Sequence, residues 1–294
     1  MTHKSGFVNI VGNPNVGKST LMNVLVGEKV SIITAKSQTT RHRIMGIVNT
    51  DEMQIVYSDT PGVLQPNYKL QASMLNFSES ALGDADVLVY VTDVVEKIDK
   101  NDFFLAKVQK VESPVLLIIN KIDLSNQKEL EKQVEEWHEL LPAAEIIPLS
   151  ATNKFNIDYL KKRIEEQIPE SPPYFEKDQL TDRPARFFVT EIIREKILLY
   201  YQKEIPYSVE VVVETFEEAA DIIRIRALII VERESQKGII IGDQGKALKK
   251  VGSMARKDIE KFFDKKVFLE MFVKVEKDWR NRDKFLKSFG YQLD

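Results

Sequence analysis

One short run constrains the fold of this chain more than any other: Gly12-Asn13-Pro14-Asn15-Val16-Gly17-Lys18-Ser19. It fits the pattern G-x-x-x-x-G-K-[ST]. An apolar run, Gly6-Phe7-Val8-Asn9-Ile10-Val11, precedes it, and a helix-like run from Ser19 to Val26 follows, stopped at Gly27. A strand, a glycine loop and a helix in that order form a phosphate cradle. The glycines let backbone N–H groups turn inward toward phosphate oxygens. Lys18 adds a point charge at the outer phosphates, and Ser19 offers a hydroxyl to Mg²⁺. The chain must therefore build an α/β layer that takes a nucleoside triphosphate.

The rest of residues 6–168 supplies that layer. Strands are predicted at Phe7–Val11, Ile44–Val48, Met53–Asp59, Val87–Thr92, Val115–Ile119 and Ile146–Pro148. Helical patterns lie between them, near Ser19–Val26, Leu70–Leu82, Asp102–Val111, Gln127–Leu140 and Ile157–Gln167. Such alternation implies a mostly parallel sheet covered on both faces. Asn49-Thr50-Asp51-Glu52 reads as a hairpin turn, which makes one edge antiparallel. Ligands on these sheets sit at the C-terminal ends of the strands.

Three further segments fall at strand ends. Asp59-Thr60-Pro61-Gly62 lies 41 residues after Lys18. Its carboxylate suits Mg²⁺, usually through water, and Gly62 has no side chain to keep its N–H from a γ-phosphate. Asn120-Lys121-Ile122-Asp123 follows the strongest apolar strand. The Asp123 carboxylate would accept hydrogen bonds from N1–H and the 2-amino group of guanine, and adenine would leave it unpaired. The Lys121 stem would lie over the base, and Ser150-Ala151 would meet the base oxygen. Gln38-Thr39-Thr40-Arg41 is the segment that orders around a γ-phosphate. Thr40 is preferred to Thr39 as the metal ligand. The nucleotide is thus GTP, contacted by Gly12 to Ser19 with Thr20, Asp59, Thr60, Pro61, Gly62, Val63, Asn120, Lys121, Asp123, Ser150 and Ala151. Ser19, Thr40 and Asp59 are the metal set, and Lys18, Thr40 and Gly62 stand at the γ-phosphate.

Val63 stands where Ras-like enzymes carry the glutamine that orients water. A valine cannot do so by hydrogen bonding, and slow intrinsic turnover is predicted. Arg41 and Arg43 read as surface residues, with a cationic helper as the alternative.

Pro169-Glu170-Ser171-Pro172-Pro173 stops the last helix, and the aperiodic stretch to Pro184 reads as a linker. The expected boundaries are 1–168, a linker at 169–184, and a second domain at 185–294. The second half follows the order α-β-β-α-α-β. It contains Gly238-Ile239-Ile240-Ile241-Gly242-Asp243-Gln244-Gly245-Lys246, similar to the I-G-x-x-G signature of KH domains. Two glycines bracketing a loop between helices let a nucleic-acid backbone come close. Ile239, Ile240 and Ile241 would line a groove for bases, and Lys246, Lys249 and Lys250 would meet phosphates. Asp243 and Gln244 complete the loop, with the Asp243 charge unhelpful there. Trp279 and Arg280 would stack on bases or grip phosphates; core packing is the equal alternative for Trp279. Charge agrees: Lys237 to Lys287 holds 15 Lys and Arg against 8 Asp and Glu, in a chain whose formal net charge is −3. A basic region on an acidic chain points to an anionic partner.

Composition excludes other chemistries. There is no cysteine, and the three histidines, His3, His42 and His138, are scattered. Thiolate chemistry and a His-based zinc centre are therefore not expected. The chain enters its first strand almost at once, leaving no room for a signal peptide. No apolar run approaches the roughly 20 residues that span a bilayer.

The first half resembles the guanine-nucleotide-binding domain of the translation-factor-related GTPases. In related loops of the form G-x-P-N-x-G-K-S, the residue matching Asn15 helps bind K⁺; the alternative is that Asn15 only shapes the loop. Joined to a KH domain, the whole chain resembles the Era family. The resemblance implies an α/β P-loop GTPase domain, with a mixed, mostly parallel sheet and helices on both faces, followed by an α+β KH domain of type II. It implies hydrolysis of GTP to GDP and phosphate with Mg²⁺, with Lys18, Thr40, Gly62 and Asn15 as the catalytic set. It further implies binding of the 3′ region of 16S ribosomal RNA, a role in 30S subunit assembly, and a cytoplasmic monomer with peripheral association at the inner membrane. Two rivals stay open: a nucleotide-gated RNA-binding module with negligible hydrolysis, and another RNA-associated GTPase of the superfamily.

Overall fold

A computed structural model describes residues 3–97 and 102–291. Apart from Tyr68–Leu70, contacts divide the chain into a first compact unit ending at Asp182 and a second beginning at Arg183.

The first unit is a six-stranded sheet. Its strands are β1 (Lys4–Gly12), β2 (Ile44–Asn49), β3 (Met53–Asp59), β4 (Val87–Asp93), β5 (Val115–Asn120) and β6 (Glu145–Pro148), in the order β2-β3-β1-β4-β5-β6. β2 runs antiparallel to β3, and the other pairs are parallel. Parallel strands covered on both faces need near-continuous apolar sequence. β4 meets that need, being buried at every position. Along β5 the side chains divide: Leu116 and Ile118 enter one core cluster, Leu117 and Ile119 the other. The helices are α1 (Lys18–Val26), α2 (Lys69–Gly83), α3 (Asp102–Val108), α4 (Gln127–Leu140) and α5 (Ile157–Gln167). α1 and α5 close the first face with Leu21, Leu25, Leu160 and Ile164. α3 and α4 close the second with Phe104, Leu105 and Trp137.

Register brings the chemistry to one edge of this sheet. Ile10 lies opposite Asp59, Gly12 opposite Val91, and Asp93 opposite Asn120. The exits of four parallel strands therefore stand level, two on each side of the point where the strand order reverses, as expected of a ligand crevice.

The aperiodic stretch after α5 has no regular structure, yet it is fastened to the first unit. Gln54 Oε1 accepts the N–H groups of Tyr174 and Phe175 at 2.7 and 2.9 Å. Ile47 N–H donates to Leu180 O at 2.8 Å, and Thr181 Oγ1 to Met45 O at 2.7 Å. The segment thereby covers the edge of β2, which would otherwise offer unpaired backbone groups.

The second unit contains α6 (Ala185–Tyr200), α7 (Ile205–Ser208), β7 (Glu210–Glu218), β8 (Ile222–Val231), α8 (Glu234–Ile241), α9 (Lys246–Phe263), β9 (Lys266–Val275) and α10 (Asp283–Ser288). Its sheet order is β7-β8-β9, antiparallel then parallel. The expected α-β-β-α-α-β order holds, with short α7 and α10 added. Strand alternation gives the sheet one apolar face. Ile223, Ile225, Ala227, Ile229 and Val267 pack there against Val189, Ile193 and Ile197 of α6, Ile240 of α8, and Val251, Ala255 and Ile259 of α9.

Candidate functional site

The glycine loop curls around its own lysine. Lys18 is buried, and its Nζ donates to Gly12 O at 2.9 Å and Asn13 O at 2.7 Å. Burial lowers its pKa to about 8, against the raising charges of Asp59 and Glu96. A phosphate anion would supply the charge that this ammonium lacks.

Three hard oxygens converge beside it. Ser19 Oγ donates to Asp59 Oδ2 at 2.7 Å and lies 2.9 Å from Thr40 Oγ1, which donates to the same carboxylate oxygen at 3.3 Å. Asp59 is fully buried, and burial pushes its carboxyl pKa up, opposed first by the Ser19 hydrogen bond. Its Oδ1 is buried with no hydrogen-bond partner. A compact oxygen set around a buried carboxylate with one oxygen unpaired fits Mg²⁺. Thr39 takes another part: its hydroxyl lies 2.6 Å from Lys36 O and 2.6 Å from Thr34 Oγ1, bracing the loop.

Gly62 closes on the loop. A Cβ there would lie 2.7 Å from Pro14 Cα, so only glycine permits the approach. The groups of its neighbours are engaged elsewhere. Thr60 is buried with its hydroxyl on Ile10 O at 2.9 Å, because the turn needs an anchor on β1. Pro61 O accepts the Ser78 hydroxyl at 2.8 Å. The Val63 side chain is fully buried in the α3–α4 core cluster, and its N–H donates to Gly12 O at 3.1 Å. Thr60 and Val63 therefore brace the turn, a correction to their expected place against the nucleotide.

At the base end, Asn120 is a staple. Its Nδ2 donates to Val16 O at 2.8 Å, and its Oδ1 accepts the N–H groups of Lys121 and Ala151 at 2.8 and 3.0 Å. Lys121 Nζ donates to Asn15 O and to Asp93 Oδ2, both at 2.6 Å. Asp123 is exposed, and its Oδ1 accepts the Ser150 hydroxyl at 2.5 Å. Asn15 is exposed at φ 67°. A cleft of about 460 Å³ runs past Asn15, Lys18, Ser19, Thr20, Gly62 and Lys121. Residues 32–36 and 38–40 form its far wall.

Two readings of this half need correction or addition. Arg41 and Arg43 are not surface residues: they are 1% and 8% exposed. Arg43 is held by Ser58 Oγ at 2.6 Å, Asn9 Oδ1 at 2.9 Å and Asp84 at 2.7 Å, acceptors on β3, on β1 and beyond α2. It fixes the exit of the Thr40 segment. Asp93 was missed, although a carboxylate at the end of the Val87–Thr92 run was the signal.

In the second unit, α8 ends at Gly242, φ +68°, where a Cβ would lie 2.6 Å from Ala247 Cβ. One turn over Asp243–Gly245 leads into α9. Lys246 pairs with Asp243 at 2.8 Å, both side chains exposed, so the unhelpful charge is met within the loop. Lys250 Nζ lies 5.1 Å from the centre of the Tyr200 ring. A groove of about 320 Å³ lies between α9 and β9, lined by Gly245, Leu248, Lys249, Gly252, Ser253, Arg256, Leu269 and Met271. Six of these residues carried no sequence assignment. Those on α9 recur at helical spacing, but their partner strand is known only from the parallel pairing of β8 and β9.

Three expected RNA contacts fall elsewhere. Ile240 is fully buried against α9 and the sheet, while Ile239 is 49% exposed and Ile241 intermediate. Trp279 is fully buried, with Nε1 donating to Ser208 O at 3.0 Å, and cannot stack on a base. Arg280 is paired with Glu232, whose carboxylate offsets its charge toward a phosphate.

The first unit matches, over residues 7–121, the family described as 50S ribosome-binding GTPase; residues 204–280 match the KH domain family. A single-site variant of Era from Aquifex aeolicus, solved with GDP and AlF₄⁻, aligns with a TM-score of 0.94 at 39% identity, covering 99% of this chain and 100% of that one. An Era in complex with MgGDPNP and nucleotides 1506–1542 of 16S ribosomal RNA gives the same four figures.

Proposed function

The chain belongs to the Era family of GTPases, and on that premise we propose that it hydrolyses GTP and lets the nucleotide govern a grip on the 3′ region of 16S ribosomal RNA during 30S subunit assembly. The observation that carries this reading is the meeting of Lys18, Ser19, Thr40 and Asp59 at one set of strand ends, in a chain that also holds a KH fold. We assign the nucleotide to residues 1–168 and the RNA to residues 185–294, with 169–184 between them.

Lys18 and the loop N–H groups hold the β- and γ-phosphates. Ser19, Thr40 and Asp59 would hold Mg²⁺, which when bound neutralises charge developing on the transferred phosphoryl group. Thr40 stands on the segment that also walls the cleft, so metal and γ-phosphate together fix that wall. Asn120 ties the loop to the base-reading segment, and Asp123 reads guanine. The Val63 side chain is apolar and lies in the core, so it cannot orient water. Intrinsic turnover is therefore slow, and K⁺ near Asn15 or bound RNA supplies the missing help. In the second unit the Gly242–Gly245 loop and the α9–β9 groove take the RNA.

We place this work in the cytoplasm, with the small subunit, and in a monomer. Among the described residues no helix is long and apolar enough to cross a membrane. Peripheral membrane association forms no part of the proposal.

Multiple-turnover phosphate release, in K⁺ and in Na⁺, with and without the 16S fragment, tests the reading. Slow release that RNA accelerates supports it. Bound GTP with no hydrolysis under any of these conditions would refute the enzymatic part.

A further inference from the structure

The second unit presents another surface that the α9–β9 groove does not use. β9 alternates cleanly: Lys266, Phe268, Glu270, Phe272 and Lys274 are exposed, while the residues between them are buried or half-buried. Two of those in-between residues, Leu269 and Met271, line the groove. The helices of this unit pack on that inner side, so Phe268 and Phe272 point to the other side of the sheet. They are 47% and 42% exposed, a large apolar area to leave in water.

Each ring has a guanidinium beside it. Arg224 lies 5.8 Å from the Phe268 ring centre, and Arg226 lies 4.5 Å from that of Phe272. Parallel pairing fixes this arrangement, with Arg224 opposite Phe268 and Arg226 opposite Glu270. The two rings are four residues apart on one strand, about 13 Å at the usual rise of a strand. Two separate planar stacking places result, each made of one aromatic and one guanidinium. Nucleobases stack on both kinds of plane.

Charge narrows the occupant. Arg224, Arg226, Lys266 and Lys274 favour an anionic chain, whereas Glu270 between the rings and Glu217 opposite Arg224 disfavour a phosphate at the centre. Arg226 lies 3.5 Å from Glu214, but both side chains are half-exposed, so the pair is weak. This pattern suits bases over the middle of β9 and phosphates along its borders.

Position points the same way. β9 is an edge strand of the sheet, and its two sides are the groove and this face. A strand of RNA leaving the groove across that edge meets Phe268 and Phe272 within the width of one β-strand.

We propose that the outer face of the β8–β9 pair is a second binding place for single-stranded RNA, which stacks bases of the stretch flanking the segment held in the groove. The proposal rests on the reading that the groove itself binds RNA.

The test uses the full chain and two RNA probes read by fluorescence anisotropy. One is a short single-stranded oligonucleotide from the 16S 3′ end, sized to the groove. The other is the same sequence lengthened by unpaired nucleotides at both ends. The native protein should bind the longer probe at least about tenfold more tightly, since stacking two bases is worth that much. Phe268→Ala with Phe272→Ala should remove that gain and leave the short probe's affinity unchanged. Phe268→Trp with Phe272→Trp should keep the gain, which shows that an aromatic plane and not the fold is being read. Retention of the full gain by the alanine variant would overturn the proposal, as would equal losses on both probes. Failure of the short probe to bind the native protein would instead overturn the groove reading on which it rests.

Discussion

Asp93 is the residue through which the nucleotide site can be probed with least disturbance. It is 4% exposed at the end of β4. One carboxylate oxygen meets Lys121 Nζ at 2.6 Å, and the other accepts the N–H groups of Val95 and Glu96 at 2.9 and 2.8 Å. Asp93→Asn keeps the volume and the turn acceptor but removes the charge opposite the ammonium. A charge-assisted hydrogen bond contributes about 1.5–3 kcal/mol. The Lys121 side chain is 30% exposed, so solvent screens part of this. A discounted loss of about 1–2 kcal/mol remains. Lys121 also reaches Asn15 O, so its misplacement loosens the cradle and the base platform together. Affinity for GTP and for GDP should each weaken by about 5- to 30-fold. The turnover number at saturating GTP should hold, because the interaction is equal in ground and transition states. Titration with a fluorescent guanine nucleotide reads the affinities, and thermal unfolding of the nucleotide-free protein reads the fold. Unchanged nucleotide affinity together with a lowered melting temperature would refute the reasoning and make the pair purely structural.

Four further substitutions test named residues. Asp123→Asn should shift preference from GTP toward the xanthine nucleotide; retained preference for GTP in competition binding would contradict the assignment. Gly242→Asp places a side chain at φ +68° and 2.6 Å from Ala247 Cβ. RNA affinity should fall by about tenfold or more, since helix junction and phosphate approach are both spoiled, with intrinsic phosphate release unchanged. Trp279→Ala should cost about 3–5 kcal/mol of stability, as deletion of a fully buried aromatic does. Trp279→Phe should retain RNA affinity; its loss at an unchanged melting temperature would restore a base-stacking role.

The nucleotide half was legible because its chemistry sits where apolar runs stop. Lys18, Asp59 and Asn120 each follow or end such a run, and parallel pairing brings the run ends level. Side-chain direction was less legible. Arg43 lies in a polar stretch and reads as exposed; its burial depends on Asn9, Ser58 and Asp84, all distant in sequence. Asp93 shows the same limit, since its partner lies 28 residues away. Ile239, Ile240 and Ile241 have equal hydropathy, and only the helix phase decides that Ile240 faces the core. Trp279 stands beside Arg280 in a basic tail, so composition leaves base stacking and core packing equal. Its indole N–H finds a backbone carbonyl 71 residues away instead. Likewise, nothing in the aperiodic stretch after residue 168 predicts that it would meet the backbone of β2.

On the proposed reading, the nucleotide governs the grip on RNA. Its most direct test is the affinity of the full chain for a 16S fragment spanning nucleotides 1506–1542, the RNA present in the Era complex, with saturating MgGDPNP and with saturating MgGDP. A coupling in the usual range of about 1–3 kcal/mol predicts tighter binding with MgGDPNP by about 5- to 150-fold. By reciprocity the RNA should favour GDPNP over GDP by the same factor. Equal affinities in the two nucleotide states would contradict the account.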